Sequence, residues 1–160
     1  MATPETITEL QRALARPDAE DMARQVDAYA DYFARGAGEW PDNDEDDFLE
    51  VCTCHHDNPD KALAYVVIAA DRTDNAEFLG FLGCGPLEDL LRNPSVELLD
   101  RIIAEAQISA RFCWLLSNPF KVAVAERAWE ALEVYRMTGP HEEPSLDTLP
   151  PRSQAALTRH

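Results

Sequence analysis

Asparagine–proline pairs recur along this chain and divide it into short segments. They occur at Asn58-Pro59, Asn93-Pro94 and Asn118-Pro119. Asparagine is favoured just before a helix, and proline fits the first helical turn, whose N–H groups have no partner within the helix. Proline within a helix or a central strand removes a backbone hydrogen bond. The pairs therefore predict short helices with frequent breaks and leave little room for a sheet.

Apolar residues recur every three or four positions between these breaks, the spacing that places side chains on one helical face. Val96, Leu99, Ile102, Ile103 and Ala106 form one such stripe, predicted to point inward. The sequence predicts an all-α single domain of eight or nine short helices, arranged as an α/α bundle or a short stack of helix pairs. The predicted helices cover residues 5–15, 18–35, 48–52, 58–71, 75–82, 87–92, 93–107, 111–116 and 122–136.

The predicted helix over residues 58–71 is apolar on nearly every side. A helix of this kind belongs at the centre of a fold, because no face of it gains from contact with water. We expect one side to be buried and a second side to be at least half buried. The first side carries Leu63, Val66, Val67 and Ala70, and the second carries Tyr65 and Ile68.

The chain changes character after Met137. Its 160 residues suit one domain, and we assign residues 1–137 to the helical domain. Residues 138–160 contain four prolines among small and charged residues. This composition predicts an extended, poorly ordered C-terminal tail.

The formal net charge of −16 constrains the partners of this protein. Apolar residues make up 46% of the chain, enough for a core, so the charge does not indicate a disordered chain. Negative charge repels nucleic-acid phosphates and anionic membrane surfaces. It attracts cations and basic proteins. We therefore expect a basic protein as partner, with no role for nucleic acid or membrane. The sequence leaves the oligomeric state open.

The N-terminus and the cysteines predict a cytoplasmic protein. A secretory signal begins with basic residues that an apolar run follows. Residues 1–6 contain no basic residue, and no apolar run lies behind them. The longest strongly apolar stretch, residues 62–70, is too short to span about 30 Å of hydrocarbon as a helix. Without export, the four cysteines are expected to remain reduced thiols.

Three segments between residues 83 and 112 have sequences that resemble those of a known family. The segments Gly83-Cys-Gly-Pro-Leu-Glu-Asp-Leu-Leu91, Leu99-Asp-Arg-Ile-Ile103 and Ala110-Arg-Phe112 resemble a bacterial family of small helical domains of unknown function. That family shares a Gly-Pro-Leu-Glu-Asp-Leu-Leu motif. The resemblance covers roughly residues 58–136 and implies no chemistry.

The glycine-rich motif is interpreted as structural. We expect Gly85 to cap one helix, Pro86 to begin the next, and Glu88 to reach back to its free N–H groups. No Lys-Ser/Thr follows the glycines, and the carboxylates of Glu88 and Asp89 would compete with a bound phosphate. The two carboxylates point about 100° apart on a helix, so they do not converge as a catalytic pair. We expect them to pair with Arg101 or Arg111. No cofactor pattern is present.

A cysteine–histidine cluster, Cys52-Thr-Cys-His-His56, is the candidate metal site. On a helix, Cys52 lies near His55 and His56, which follow it by three and four residues. A structural zinc site normally needs a second closely spaced ligand pair, and the chain supplies none. The alternative interpretation is a helix end with buried thiols and with histidines that suit the helix dipole.

The acidic stretch from Glu39 to Asp47 is the candidate partner-binding segment. Its carboxylates Asp44, Asp46 and Asp47 lie close to Trp40. Carboxylates could steer a basic partner while the aromatic ring supplies buried area. The competing interpretation is that Trp40 packs on the core and the acids only keep the protein soluble.

Two classes of function remain. The chain lacks a recognisable catalytic set, which favours a non-catalytic protein-interaction domain that binds a basic partner. The alternative is a small metal-binding protein or a metal-assisted hydrolase that uses the Cys52–His56 segment.

Overall fold

The computed structural model describes residues 7–35, 51, 54, 57–152 and 154–156. Across these residues the regular structure is helical and contains no strand, which confirms the all-α class. The α-helices are α1 (Glu9–Leu14), α2 (Ala19–Arg35), α3 (Pro59–Arg72), α4 (Ala76–Leu82), α5 (Glu88–Leu91), α6 (Val96–Ile108), α7 (Ala110–Leu116) and α8 (Glu126–Leu132). A π-helical segment, Gly83–Leu87, joins α4 to α5, and 3₁₀ turns occur at Lys121–Ala123, Glu133–Tyr135 and Leu146–Thr148.

Helix α3 is the central element. It contacts α1, α2, α4, α5, α7 and the π-helical segment. Its side chains from Ala62 to Ala69 are all buried, and Ala70 packs partly buried against them. Burial on nearly every side follows from the apolar composition of the helix, because any exposed face would leave apolar area in water. The predicted position of this helix is therefore confirmed.

Side chains at the helix starts accept hydrogen bonds from N–H groups that have no partner within the helix. Asn58 caps α3, Asn75 caps α4 and Ser95 caps α6, each with a donor–acceptor distance of 3.0–3.1 Å to the N–H three residues later. Pro59 occupies the first turn of α3, as the asparagine–proline pair predicts. At the second pair the cap is Ser95, so α6 begins two residues beyond Pro94.

The glycine–proline motif does not start a new helix. The sequence predicts that Gly85 ends one helix and Pro86 begins another, but both lie inside the π-helical segment that continues α4 into α5. A wider π turn accommodates the proline ring, which would clash in a regular α-helical turn. The neighbouring Gly83 brings this segment against α7: a Cβ atom there would lie 2.7 Å from the Leu115 carbonyl oxygen.

The predicted helix over residues 122–136 is divided. Only Glu126–Leu132 is α-helical, and 3₁₀ turns lie on both sides of it. The Ala125 N–H donates to the Leu91 carbonyl at 3.0 Å, which ties the start of α8 to the end of α5. The backbone of Ala125 is not helical, with φ −56° and ψ 139°, so the helix begins only after it.

One predicted inward residue of α6 points outward. Leu99, Ile102 and Ala106 are buried as expected, but Val96 is 73% exposed. Val96 lies four positions before Asp100, on the face that is turned to solvent.

The C-terminal segment contacts the helical body along residues 138–152. The buried guanidinium of Arg111 donates to the Pro150 carbonyl at 2.8 Å, and the Trp114 indole N–H donates to Thr148 Oγ1 at 3.1 Å. The buried guanidinium of Arg136 donates to the carbonyls of Leu116, Ser117, Pro119 and Gly139. These bonds hold the described part of the segment against α7, and the poor order expected of residues 138–160 stays a prediction. The domain boundary at residue 137 stays a prediction.

Candidate functional site

An open cleft of about 870 Å³ lies between the start of α1 and the outward face of α6. Ile7, Glu9 and Arg12 line its α1 side. We call it the α1–α6 cleft. Its α6 side is formed by Glu97, Asp100, Arg101, Ala104, Glu105 and Ile108.

The spacing of the α6 residues explains why they share this face. They follow one another at intervals of one or three positions, so that residues three and four apart line up along one side of the helix. The core-facing residues Leu98, Leu99, Ile102 and Ala106 lie on the other side and are buried. Helix α6 is thus amphipathic: its outward face forms the cleft wall, and its inward face packs on the core.

An ion cluster joins α1 to α6 at the cleft. The Arg101 guanidinium donates two hydrogen bonds to the Glu9 carboxylate, at 2.8 and 2.9 Å, and a third to Asp60. These carboxylates raise the pKa of Arg101, chiefly through the bonds to Glu9. The prediction that Arg101 pairs with the motif carboxylates is therefore wrong. Packing of α1 against α3 places Glu9 within reach of Arg101, and the start of α3 supplies Asp60.

Glu105 is a buried carboxyl group at the edge of this cluster. Glu105 is only 9% exposed, and its carboxylate accepts a hydrogen bond from the Glu9 backbone N–H. Burial raises the pKa of Glu105, and the nearby Glu9 carboxylate adds to the rise. Within the described chain, Glu105 forms no ion pair with a basic side chain. Its negative charge at neutral pH is therefore poorly compensated.

Two further carboxylates on the cleft wall are exposed. Glu97 and Asp100 lie on the solvent side of α6, and neither forms an ion pair with the described Lys and Arg residues. Apolar side chains lie exposed around them: Ile7 at 61%, Val96 at 73% and Ile108 at 51%. The cleft thus combines exposed apolar groups with negative charge. The apolar spacing of α6 predicts Val96 in the core, and the sequence carries no signal that places the start of α1 beside α6, so the cleft could not be predicted from it.

Both motif carboxylates lie within ion-pair distance of Arg92, and Glu88 makes a further bond to the backbone. The Glu88 Oε2 atom accepts from the Phe120 backbone N–H at 3.2 Å, and Asp89 pairs with Arg92 at 3.2 Å. Glu88 therefore ties α5 to the chain after α7. The sequence predicts that its carboxylate accepts from the free N–H groups at the start of its own helix, but it accepts from Phe120 instead. The predicted partner Arg111 bonds instead to Asp74 and to backbone carbonyls. These contacts fit an architectural interpretation of Glu88 and Asp89.

The thiol next to the motif has no activating neighbour among the described residues. Burial raises the pKa of Cys84, and the carboxylates of Glu143 and Glu88 raise it further. A raised pKa lowers the thiolate fraction, and thiolate is the nucleophilic form. Position 84 thus lacks the electropositive surroundings that a catalytic cysteine uses.

Two sets of predicted site residues lie outside the described residues. Trp40, Asp44, Asp46 and Asp47 of the acidic stretch are one set. Cys52, His55 and His56 of the candidate metal cluster are the other. Their neighbour Cys54 is described and buried. Over the described ranges, no three His, Cys, Asp or Glu side chains gather in a way that could hold a metal ion. Both sites stay predictions.

Within the part of the chain that the structure covers, no helix is both long enough and apolar enough to cross a bilayer.

Comparison with known proteins identifies a family. No curated protein and no solved structure matches the chain significantly. A family model described as "Family of unknown function (DUF6869)" matches residues 39–139. This match begins about twenty residues before the stretch that the motif suggested, and it includes the acidic stretch and the cysteine–histidine cluster. The chain therefore belongs to this family of unknown function.

Proposed function

We propose that this protein is a non-catalytic interaction domain that binds a basic protein. The observation that carries the proposal is the α1–α6 cleft, where exposed apolar side chains lie among carboxylates that have no cation partner in the described chain. Apolar area supplies binding free energy when it leaves water, and unpaired carboxylates select a partner with positive charge.

The charge of the whole chain supports the same partner. A net charge of −16 attracts a basic protein over a distance set by the salt concentration. The acidic stretch with Asp44, Asp46 and Asp47 adds to this attraction in our proposal, and Trp40 provides an aromatic anchor. We place the complex in the bacterial cytoplasm, where the thiols of Cys54, Cys84 and Cys113 stay reduced.

The test is capture of the partner at several salt concentrations. The purified protein is immobilised, a lysate is passed over it, and bound proteins are identified after washes at about 50 and about 150 mM salt, because screening grows over this range. We expect the captured protein to be basic and its retention to fall steeply with salt. The triple variant Asp44→Asn/Asp46→Asn/Asp47→Asn should weaken capture.

A matched variant separates specific from general charge effects. Glu126→Gln/Glu130→Gln/Asp147→Asn removes the same charge from exposed positions elsewhere. Its capture should stay close to wild type. Retention that is indifferent to salt, or a captured protein that is acidic, would contradict the proposed function.

A further inference from the structure

We infer that the α1–α6 cleft is the docking groove for a basic amphipathic helix of the partner. Apolar residues of that helix would lie on Ile7, Val96 and Ile108, and its lysines or arginines would pair with Glu97, Asp100 and Glu105. This inference rests on the proposed function and names the surface and the kind of segment that it recognises.

Charge complementarity argues for a basic occupant. Among the described residues, two basic side chains line the cleft, and both face Glu9: Arg101 bonds to it at 2.8 Å and Arg12 lies 3.8 Å from it. Arg101 also pairs with Asp60. The exposed carboxylates of Glu97 and Asp100 therefore remain available to cations of the occupant, and Glu105, buried in the cleft lining, has no cation of its own in the described chain.

The shape of the cleft argues for a helix. Its long wall is the face of α6, which has 13 residues and extends about 20 Å at about 1.5 Å per residue. Exposed Val96 and Ile108 lie at opposite ends of this wall. A partner helix of about three to four turns would cover both, with apolar residues three or four positions apart.

The buried carboxyl group of Glu105 argues for binding. A desolvated carboxylate without a cation disfavours the folded state at neutral pH, and the hydrogen bond from the Glu9 N–H only partly offsets this cost. A cationic side chain of the occupant would compensate it. Replacement of Glu105 by an isosteric amide should therefore stabilise the free protein and weaken the complex. A purely structural residue would not produce this pair of opposite effects.

The experiment measures binding of a synthetic peptide to the full chain by fluorescence anisotropy. The probe is a labelled peptide of about 14 residues with leucines at helical spacing on one face and lysines beside them. A scrambled peptide of the same composition is its control. We expect the ordered peptide to bind the wild-type protein and the scrambled peptide to bind at least about tenfold more weakly, since only the ordered peptide presents an apolar stripe.

Matched variants test the contacts. Glu97→Gln/Asp100→Asn should weaken peptide binding about three- to tenfold, the range expected for two exposed ion pairs. Glu126→Gln/Glu130→Gln removes the same charge from α8 and should change it less than about twofold. Val96→Ser should weaken binding, whereas Val122→Ser, at a site 83% exposed outside the cleft, should not. Glu105→Gln should weaken binding while the melting temperature rises.

Several results would overturn the inference. They are absence of binding, equal binding of the scrambled peptide, and equal loss in both charge-matched variants. A wild-type protein that dimerises until Val96 and Ile108 become serine would show that a second copy fills the cleft. Salt-sensitive capture of a basic protein that survives all cleft substitutions would reject this groove and leave the proposed function standing. Salt-indifferent capture would reject the proposed function itself.

Discussion

At the scale of single residues, two positions are explained only by what surrounds them. Gly83 lies where the π-helical segment meets α7, and a side chain there would meet backbone atoms. Glu105 carries a carboxyl group into a site where burial penalises its charged form. Steric contact with α7 constrains position 83, and electrostatics constrains position 105. A substitution of Gly83 should therefore act through a clash, and a substitution of Glu105 through the removal of a charge.

Gly83→Ala should lower the free energy of unfolding by about 1–3 kcal/mol. The added Cβ atom would lie 2.7 Å from both the Leu115 carbonyl oxygen and the Asn118 Cβ atom, so α7 must shift. Gly85→Ala is the control, because its nearest contact would be the Phe81 ring at 3.9 Å. Chemical denaturation measures both variants. Equal stability of the two would show that α7 moves without cost.

Glu105→Gln should raise the melting temperature at pH 7, and the gain should vanish in acid. Because the folded-state pKa of Glu105 is raised above its unfolded value, the native state is penalised as pH rises through that window. Below about pH 4 the group is protonated in both states, so the amide brings no advantage. Thermal melts between pH 4 and pH 7 test this. A gain that is constant with pH would point to packing instead of charge.

At the scale of elements, α3 organises the fold because it is buried along nearly its whole length. The other helices pack around it with one apolar face each, and their outward faces carry the charge. The π-helical segment lets α4 and α5 follow one path past α7 while proline and glycine remain inside it. Stability should therefore depend strongly on α3 and weakly on outward faces.

Val67→Ala in α3 should lower the free energy of unfolding by about 1–3 kcal/mol. Val67 is 4% exposed, so the truncation loses buried apolar area and leaves a cavity. Val122→Ala is the matched control, since its side chain is 83% exposed. Urea unfolding at equilibrium gives both values. Similar values for the two variants would contradict the central position of α3.

At the scale of the whole molecule, net negative charge opposes compaction. Thirty acidic residues face only fourteen basic ones, and several of those basic residues are already held in ion pairs, such as Arg101 with Glu9. Bonds from Arg111 and Arg136 to the backbone carbonyls of Pro150 and Gly139 secure the C-terminal segment, and Arg111 also pairs with Asp74. Repulsion among the remaining carboxylates should therefore be visible in the stability of the intact chain.

Added salt should raise the melting temperature at pH 7. Screening at about 0.15 M weakens repulsion beyond about 8 Å, and the net repulsion of this chain is large. The effect should shrink near pH 4.4, the isoelectric point, where the net charge approaches zero. Thermal melts in sodium chloride at both pH values provide the comparison. A melting temperature that falls with salt at pH 7 would mean that local ion pairs outweigh the overall repulsion.

The sequence by itself determined the helical class, the central position of α3 and most helix starts. These follow from local rules: a side chain caps the N–H three residues later, and apolar spacing marks a buried face. The α1–α6 cleft was decided only by tertiary structure. Its ion cluster joins Arg101 to Glu9 and Asp60, which lie 92 and 41 positions away. The path through Gly83–Leu87 likewise depends on α7. Local spacing does not encode such contacts, because they arise only when separate helices pack together.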